Sequence, residues 1–227
     1  MTFKIQIPTD IIRNDEINAM EFVLLAKLIQ AYYLSSKQEE FELHHKNLIF
    51  LLNIGDNNTF KKSYNKLVKQ GYIVTPIDKL PRKGGINVKL NMNIIPELNK
   101  KLPFAQLNSS VLDKSVIDAI GYIGIRLIYY YQSYINRKDI AKNHCYASEE
   151  TIAAHLGITK RTVIEYNKKL KKNKMVKITG HELMETGEYK RKKDKEVIVF
   201  NKYNNHYFVK EDRIIDFASK KQGLLTV

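Results

Sequence analysis

Residues 148–176 read SEETIAAHLGITKRTVIEYNKKLKKNKMV, and the spacing of their apolar positions decides how the rest of the chain is read. Ser148 is a good helix N-cap, because its hydroxyl can accept from the free N–H groups of a first turn. Ile152, Ala153 and Leu156 follow as an apolar stripe at helical spacing. Gly157 permits a tight turn and Thr159 can cap a second helix, whose buried face falls on Val163, Tyr166 and Leu170. The other face carries Lys160, Arg161, Ile164, Glu165, Lys168 and Lys171. The plain alternative is an αα-hairpin with a solvated basic face.

A helix held by its back, with long cationic side chains in front, meets the steric and electrostatic needs of a major groove. The stretch resembles the helix-turn-helix of bacterial winged-helix proteins. The matching residues are Ile152-Ala153, Leu156-Gly157, Ile158, Thr159, Thr162-Val163 and Leu170. Two positions depart from that pattern: Asn167, where an apolar residue is usual, and Lys174, where glycine is usual.

The 227 residues suffice for one large domain or two of ordinary size, and 44% hydrophobic content supports real cores. Lys and Arg number 38 against 24 Asp and Glu, giving +14. Such an excess draws a protein toward polyanions, either nucleic acid or an anionic membrane surface. The longest apolar run, Ile123 to Tyr131, contains Arg126 and is too short to span a bilayer. The N-terminal MTFKIQIPTD has no apolar signal core. The one cysteine, Cys145, excludes an intramolecular disulfide and a thiolate zinc cluster. The expectation is a cytoplasmic protein with no membrane partner.

In chain order, Phe3 to Ile7 reads as a strand ended by Pro8, and Asn14 to Leu34 as a long amphipathic helix. A connection through residues 41–43 leads to a helix at His45 to Leu52, and another spans Asp56 to Gln70 with Phe60, Tyr64 and Leu67 inward. Tyr72 to Ile77 and Ile86 to Leu90 read as a strand pair around a basic turn. The chain then repeats itself. At an offset of one hundred, INAMEFVLLAKLI (17–29) matches IDAIGYIGIRLIY (117–129), and Thr59, Phe60, Leu67 and Ile73 later meet Thr162, Val163, Leu170 and Val176. In the second copy, Met175 to Thr179 and Glu196 to Asn201 are expected to pair around a long basic loop, with a short helix at Arg213 to Lys220. The predicted fold is α+β, mainly helical: two tandem winged helix-turn-helix domains related by an internal repeat. The boundaries are 1–95, a linker at 96–104, a second domain at 105–210 with a long basic wing, and a tail at 211–227.

Charge is concentrated where that reading places DNA. Residues 159–195 hold thirteen Lys/Arg and five Asp/Glu, and residues 56–83 hold seven against two. These stretches supply nearly all of the excess, which a merely solvated surface would spread. The candidate DNA-binding residues are Asn57, Asn58, Lys61, Lys62, Asn65, Lys69, Arg82 and Lys83 in the first copy. In the second they are Thr159, Lys160, Arg161, Ile164, Glu165, Lys168, Lys190, Arg191, Lys192 and Lys193.

Other chemistries fare worse. His44-His45 reads as a surface pair rather than a metal site, because neighbouring histidines on a helix point apart. Tyr129, Tyr130, Tyr131 and Tyr134 read as core or as a contact between domains or protomers, not as a nicking nucleophile. Lys83-Gly84-Gly85 is not a phosphate loop. No catalytic residue, metal or cofactor is expected. Two winged helices in one such chain resemble plasmid and phage replication initiators, which grip consecutive turns of origin DNA. The implied partner is double-stranded DNA, with a homodimer and contacts to replication or transcription machinery left open. A transcriptional regulator of a mobile element would use the same surfaces, and a winged-helix protein-interaction module is the third reading.

Overall fold

This computed structural model describes residues 3–135, 143–180, 184–192, 195–201 and 204–223. The chain is α+β, with eight α-helices and four antiparallel two-stranded sheets among the described residues.

Its centre is a strand pair formed between the two sequence copies. Strand β1 (Lys4–Pro8) runs antiparallel to β4 (Phe104–Asn108), with Gln6 opposite Gln106 and Ile5 opposite Leu107. Since the repeat offset is one hundred, Gln6 faces its own counterpart, and Ile5 faces the counterpart of Ile7. Beyond the ladder, Thr9 N donates to Pro103 O and Ser109 N to Phe3 O, both at 2.8 Å. These two bonds exchange under the same offset, so a local twofold axis passes through the pair. Pro8 lies within the strand rather than after it; proline is tolerated at the end of an edge strand.

Two long helices pack beneath this pair. Helix α1 is a single turn (Thr9–Ile12), and α2 (Ala19–Leu34) starts later than its periodicity suggests. Asn18 and Glu21 form a reciprocal capping box there, fixing the first helical residue at Ala19 and leaving buried Ile17 in the preceding loop. Residues Glu21 to Ile29 are all buried, so α2 is enclosed rather than amphipathic. Helix α5 (Lys114–Gln132) crosses it and breaks at Gly121, whose φ of 68° and ψ of 175° suit glycine alone. The three consecutive tyrosines of α5 are fully buried. Tyr129 meets Phe22 of α2 edge-on, and Tyr131 stacks on Tyr207 with centroids 4.5 Å apart. They are core, and part of that core joins the two halves. Tyr131 also donates to Asn167 Oδ1 at 2.5 Å, which accounts for a buried amide where the resembled pattern has an apolar residue.

Arg126 of α5 is the most unusual interior group. It is 1% exposed, and its guanidinium donates to the carbonyls of Ile12 (3.1 Å), Asn14 (2.6 Å), Ile17 and Leu156. Burial lowers its pKa to about 10, so it stays charged near neutrality. The guanidinium thereby replaces the backbone donors that the non-helical loop 12–17 lacks.

The halves then repeat the same order. In the first, β2 (Glu40–Leu43), α3 (His45–Leu51), α4 (Asn57–Lys69) and β3 (Ile86–Lys89) follow α2. In the second, α6 (Glu149–Leu156), α7 (Lys160–Lys172) and β5 (Val176–Thr179) follow α5, with β6 (Met184–Lys192), β7 (Lys195–Asn201), β8 (His206–Val209) and α8 (Glu211–Gly223) after them. Corresponding bonds recur: Ile54 N donates to Ile49 O as Ile158 N does to Ala153 O, and Tyr72 N to Leu67 O as Met175 N does to Leu170 O.

Strand pairing departs from the sequence expectation in three places. Residues 41–43 belong to β2, which pairs with β3, while the expected strand at 72–77 shrinks to one bridge between Ile73 and Leu90. Pro76 has no N–H to give, and Thr75 Oγ1 donates in its place to Asn87 O at 3.2 Å while accepting from Lys89 N at 3.0 Å. In the second half β5 pairs with β8, not with residues 196–201, which instead form a separate hairpin of β6 and β7. His45 also departs from the surface reading: it is 1% exposed, with its ring 6.3 Å from that of Phe60. Residues 92–94 form a 3-10 turn, and Ile94, Ile95 and Pro96 are buried, so the expected connector begins inside the core. The final helix is longer than expected, starting at Glu211.

Lys174 takes a left-handed φ of 58°, where its counterpart Gly71 has 80°. A side chain in that region costs about 1 kcal/mol more than glycine. Lys174→Gly is therefore expected to raise unfolding free energy by about 1 kcal/mol, read from urea denaturation; a loss of stability would contradict the assignment.

Candidate nucleic-acid interface

The pair α6–α7 is set by its caps. Ser148 Oγ accepts from Thr151 N at 3.0 Å and Thr159 Oγ1 from Thr162 N at 3.1 Å, each satisfying a first-turn donor. Gly157 ends α6 at φ 61° and turns the chain into α7. Ile152, Leu156, Val163 and Leu170 are buried, Tyr166 is half-buried against Gly121, and the opposite face of α7 is left to solvent.

That face is basic but not uniformly free. Lys160 pairs with Glu150 at 2.6 Å, which raises the ammonium pKa and lowers that of the carboxylate. Glu165 lies 3.5 Å from Lys169, an i,i+4 pair worth little at an exposed site. Thr159, Arg161 and Lys168 are exposed, and Ile164 is half-buried between them. Among the described residues Arg161 has no ion-pair partner, so its planar fork is available for a bidentate acceptor such as guanine.

In the first half Asp56 caps α4 by accepting from Thr59 N at 2.8 Å, and those bonds to Thr59 hold its carboxyl below the usual range. Asn57, Asn58, Lys62 and Lys69 are exposed. Two other candidates are already occupied. Asn65 donates to Ile77 O at 2.8 Å and accepts from Ile77 N at 2.9 Å, and Lys61 Nζ donates to Asp78 O. Both tie the start of the wing to α4. The periodicity that placed them on the front face carries no information about this long-range bond pair. The turn beyond is held by Glu42, which accepts from Gly85 N at 2.8 Å, and by Lys46, which donates to Arg82 O at 3.2 Å. Arg82 and Lys83 remain exposed.

The expected second wing falls on the β6–β7 ribbon, with Lys190 opposite Val197 and Arg191 opposite Glu196. Two-residue alternation puts exposed Lys190 and Arg191 on opposite faces, so the basic run is not one contact patch. Lys192 lies opposite Lys195 next to the turn, and Lys193 lies outside the described residues. Tyr189 is 65% exposed next to these cations; an aromatic within a basic run was the signal for it, and the charge count passed over it.

Two exposed cationic helix faces, each followed by a basic strand-and-turn segment, thus occupy corresponding positions in the two sequence copies, whose first strands pair about a local twofold axis. Among the described residues no group of three or more His, Cys, Asp or Glu could hold a metal ion, and no helix is long and apolar enough to cross a membrane. No family model matches the chain, and none of the curated proteins compared with it is significantly similar in sequence.

Proposed function

We propose that this chain is a tandem winged-helix protein that binds double-stranded DNA sequence-specifically through α4 and α7, and that it serves as a replication initiator at repeated origin sites of a plasmid or phage. The observation that carries the DNA reading is that two capped, basic, outward-facing helices occupy corresponding positions in two copies whose first strands pair about a twofold axis. Duplex DNA has local twofold axes of its own, so such a pair can enter successive major grooves from equivalent directions. The two helices differ in their exposed residues, Asn57, Asn58 and Lys62 against Arg161 and Lys168. The half-sites are therefore arranged as an inverted pair but differ in sequence. A repressor of a mobile element would bind through the same surfaces; repeated sites beside an AT-rich tract favour initiation, and one site over a promoter favours repression.

The test is affinity measured against salt and sequence. With roughly six phosphate contacts, log Kd against log salt should have a slope of magnitude about 5. Arg161→Ala is expected to cost about 1–3 kcal/mol on the selected site and to relax preference at one position. A slope of magnitude below about 2 would sink the proposal.

A further inference from the structure

The twofold repeat gives an internal control for which charges the fold itself needs. Lys171, Lys174, Lys177, Lys210 and Arg213, with the single acid Asp212, surround a concave surface between the end of α7, the start of β5 and the start of α8. The backbone turn that carries Lys210 and Arg213 has the same bonds in the first half. Lys210 N donates to Met175 O as Asn91 N does to Tyr72 O, and Arg213 N to Lys210 O as Ile94 N does to Asn91 O. By that correspondence the five positions in the first half are Val68, Gly71, Val74, Asn91 and Ile94. None of them is charged. The scaffold forms without the cations, so they answer to something other than folding.

Their placement is also unfavourable for the free protein. Lys174 occupies a left-handed position, and among the described residues the four lysines make no ion pair. Arg213 alone approaches acids, Asp212 at 3.8 Å and Asp216 at 4.0 Å. Like charges gathered in one concavity repel each other until an anion enters.

We propose that this concavity is a sequence-independent phosphate site for a nucleic-acid backbone, making the second half the anchoring half of the chain. The inference rests on the DNA-binding reading and extends it beyond the helix fronts. Continuity supports it: Ile164, Lys168 and Lys171 follow one another along α7, so the patch prolongs the exposed face of that helix around its C-terminal end. Lining chemistry supports it too. Lysines are point-charge phosphate partners, and the large exposed apolar anchor that a protein interface would need is missing from this lining.

The experiment compares the full chain with a variant carrying Lys174→Gly, Lys177→Gln, Lys210→Asn and Arg213→Gln, on a duplex of unrelated sequence and on the selected site. Removing four phosphate contacts should reduce the magnitude of the salt slope by about 3.6 and weaken both duplexes at least about tenfold, with the ratio between them unchanged. An unchanged slope and affinity in the variant overturns the site while leaving helix-front binding intact. A variant that keeps its DNA binding but loses binding to poly-glutamate points to an acidic protein partner and also overturns it. If the unmodified chain binds neither duplex, the DNA reading itself has failed, and this proposal with it. Should the fourfold variant fold poorly, the pair Lys177→Gln and Lys210→Asn tests the same site, with a slope change of about 2.

Discussion

Arg126→Ala is expected to cost about 3–5 kcal/mol of unfolding free energy, the largest loss of any single substitution considered. The side chain is buried and bonds four backbone carbonyls, three in the loop at 12–17 of the first half and one at the end of α6. Truncation takes the side-chain donor from the carbonyls of Ile12, Ile17 and Leu156, while Asn14 O keeps its bond from Ile17 N at 3.2 Å, and each buried orphan costs about 1–3 kcal/mol. Arg126→Lys should recover only part of the loss, since an ammonium cannot present the planar fork that reaches several carbonyls. Urea denaturation reads both variants. A loss under about 1 kcal/mol for Arg126→Ala would mean that the loop finds other donors.

Gly157→Ala should follow, at about 2–4 kcal/mol. The residue is left-handed at φ 61°, and a Cβ built there would sit 2.8 Å from the backbone oxygen of Asp15. Strain alone accounts for about 1–2 kcal/mol, and the clash is with backbone from the other half, which cannot rotate away. Because this turn sets the angle between α6 and α7, the variant should also bind DNA more weakly. Gly157→Ala with stability within about 0.5 kcal/mol of the unmodified chain would show that the two halves separate easily at this contact.

Local signals were the legible ones. The caps Ser148, Thr159 and Asp56 place the starts of α6, α7 and α4 where they are observed, and the expected span 56–70 lies within a residue of both ends of α4. Those end signals are bonds between residues three apart in the chain. Strand pairing depends on a distant partner: β5 takes β8 rather than residues 196–201, and β1 takes β4 a hundred positions on. An alternating apolar pattern says which face is buried but not which strand lies alongside. The candidate site divides along the same line. Arg161, Lys168, Lys62 and Lys69 are exposed as the helical period requires. Asn65 and Lys61 share that period, yet their polar groups go to Ile77 and Asp78 across a wing whose course was not readable. The repeat was visible as an offset, but its consequence, a twofold axis through Gln6 and Gln106, needed the strand register.

The most direct test of two helices reading one duplex is footprinting of the full chain on a site selected from random duplexes, with stoichiometry measured on the same complex. Successive major grooves on one face lie about 34 Å apart, so one chain should protect about 20 base pairs in two blocks, inverted in orientation and different in sequence. Protection of a single block of about 10 base pairs by one chain would contradict the account.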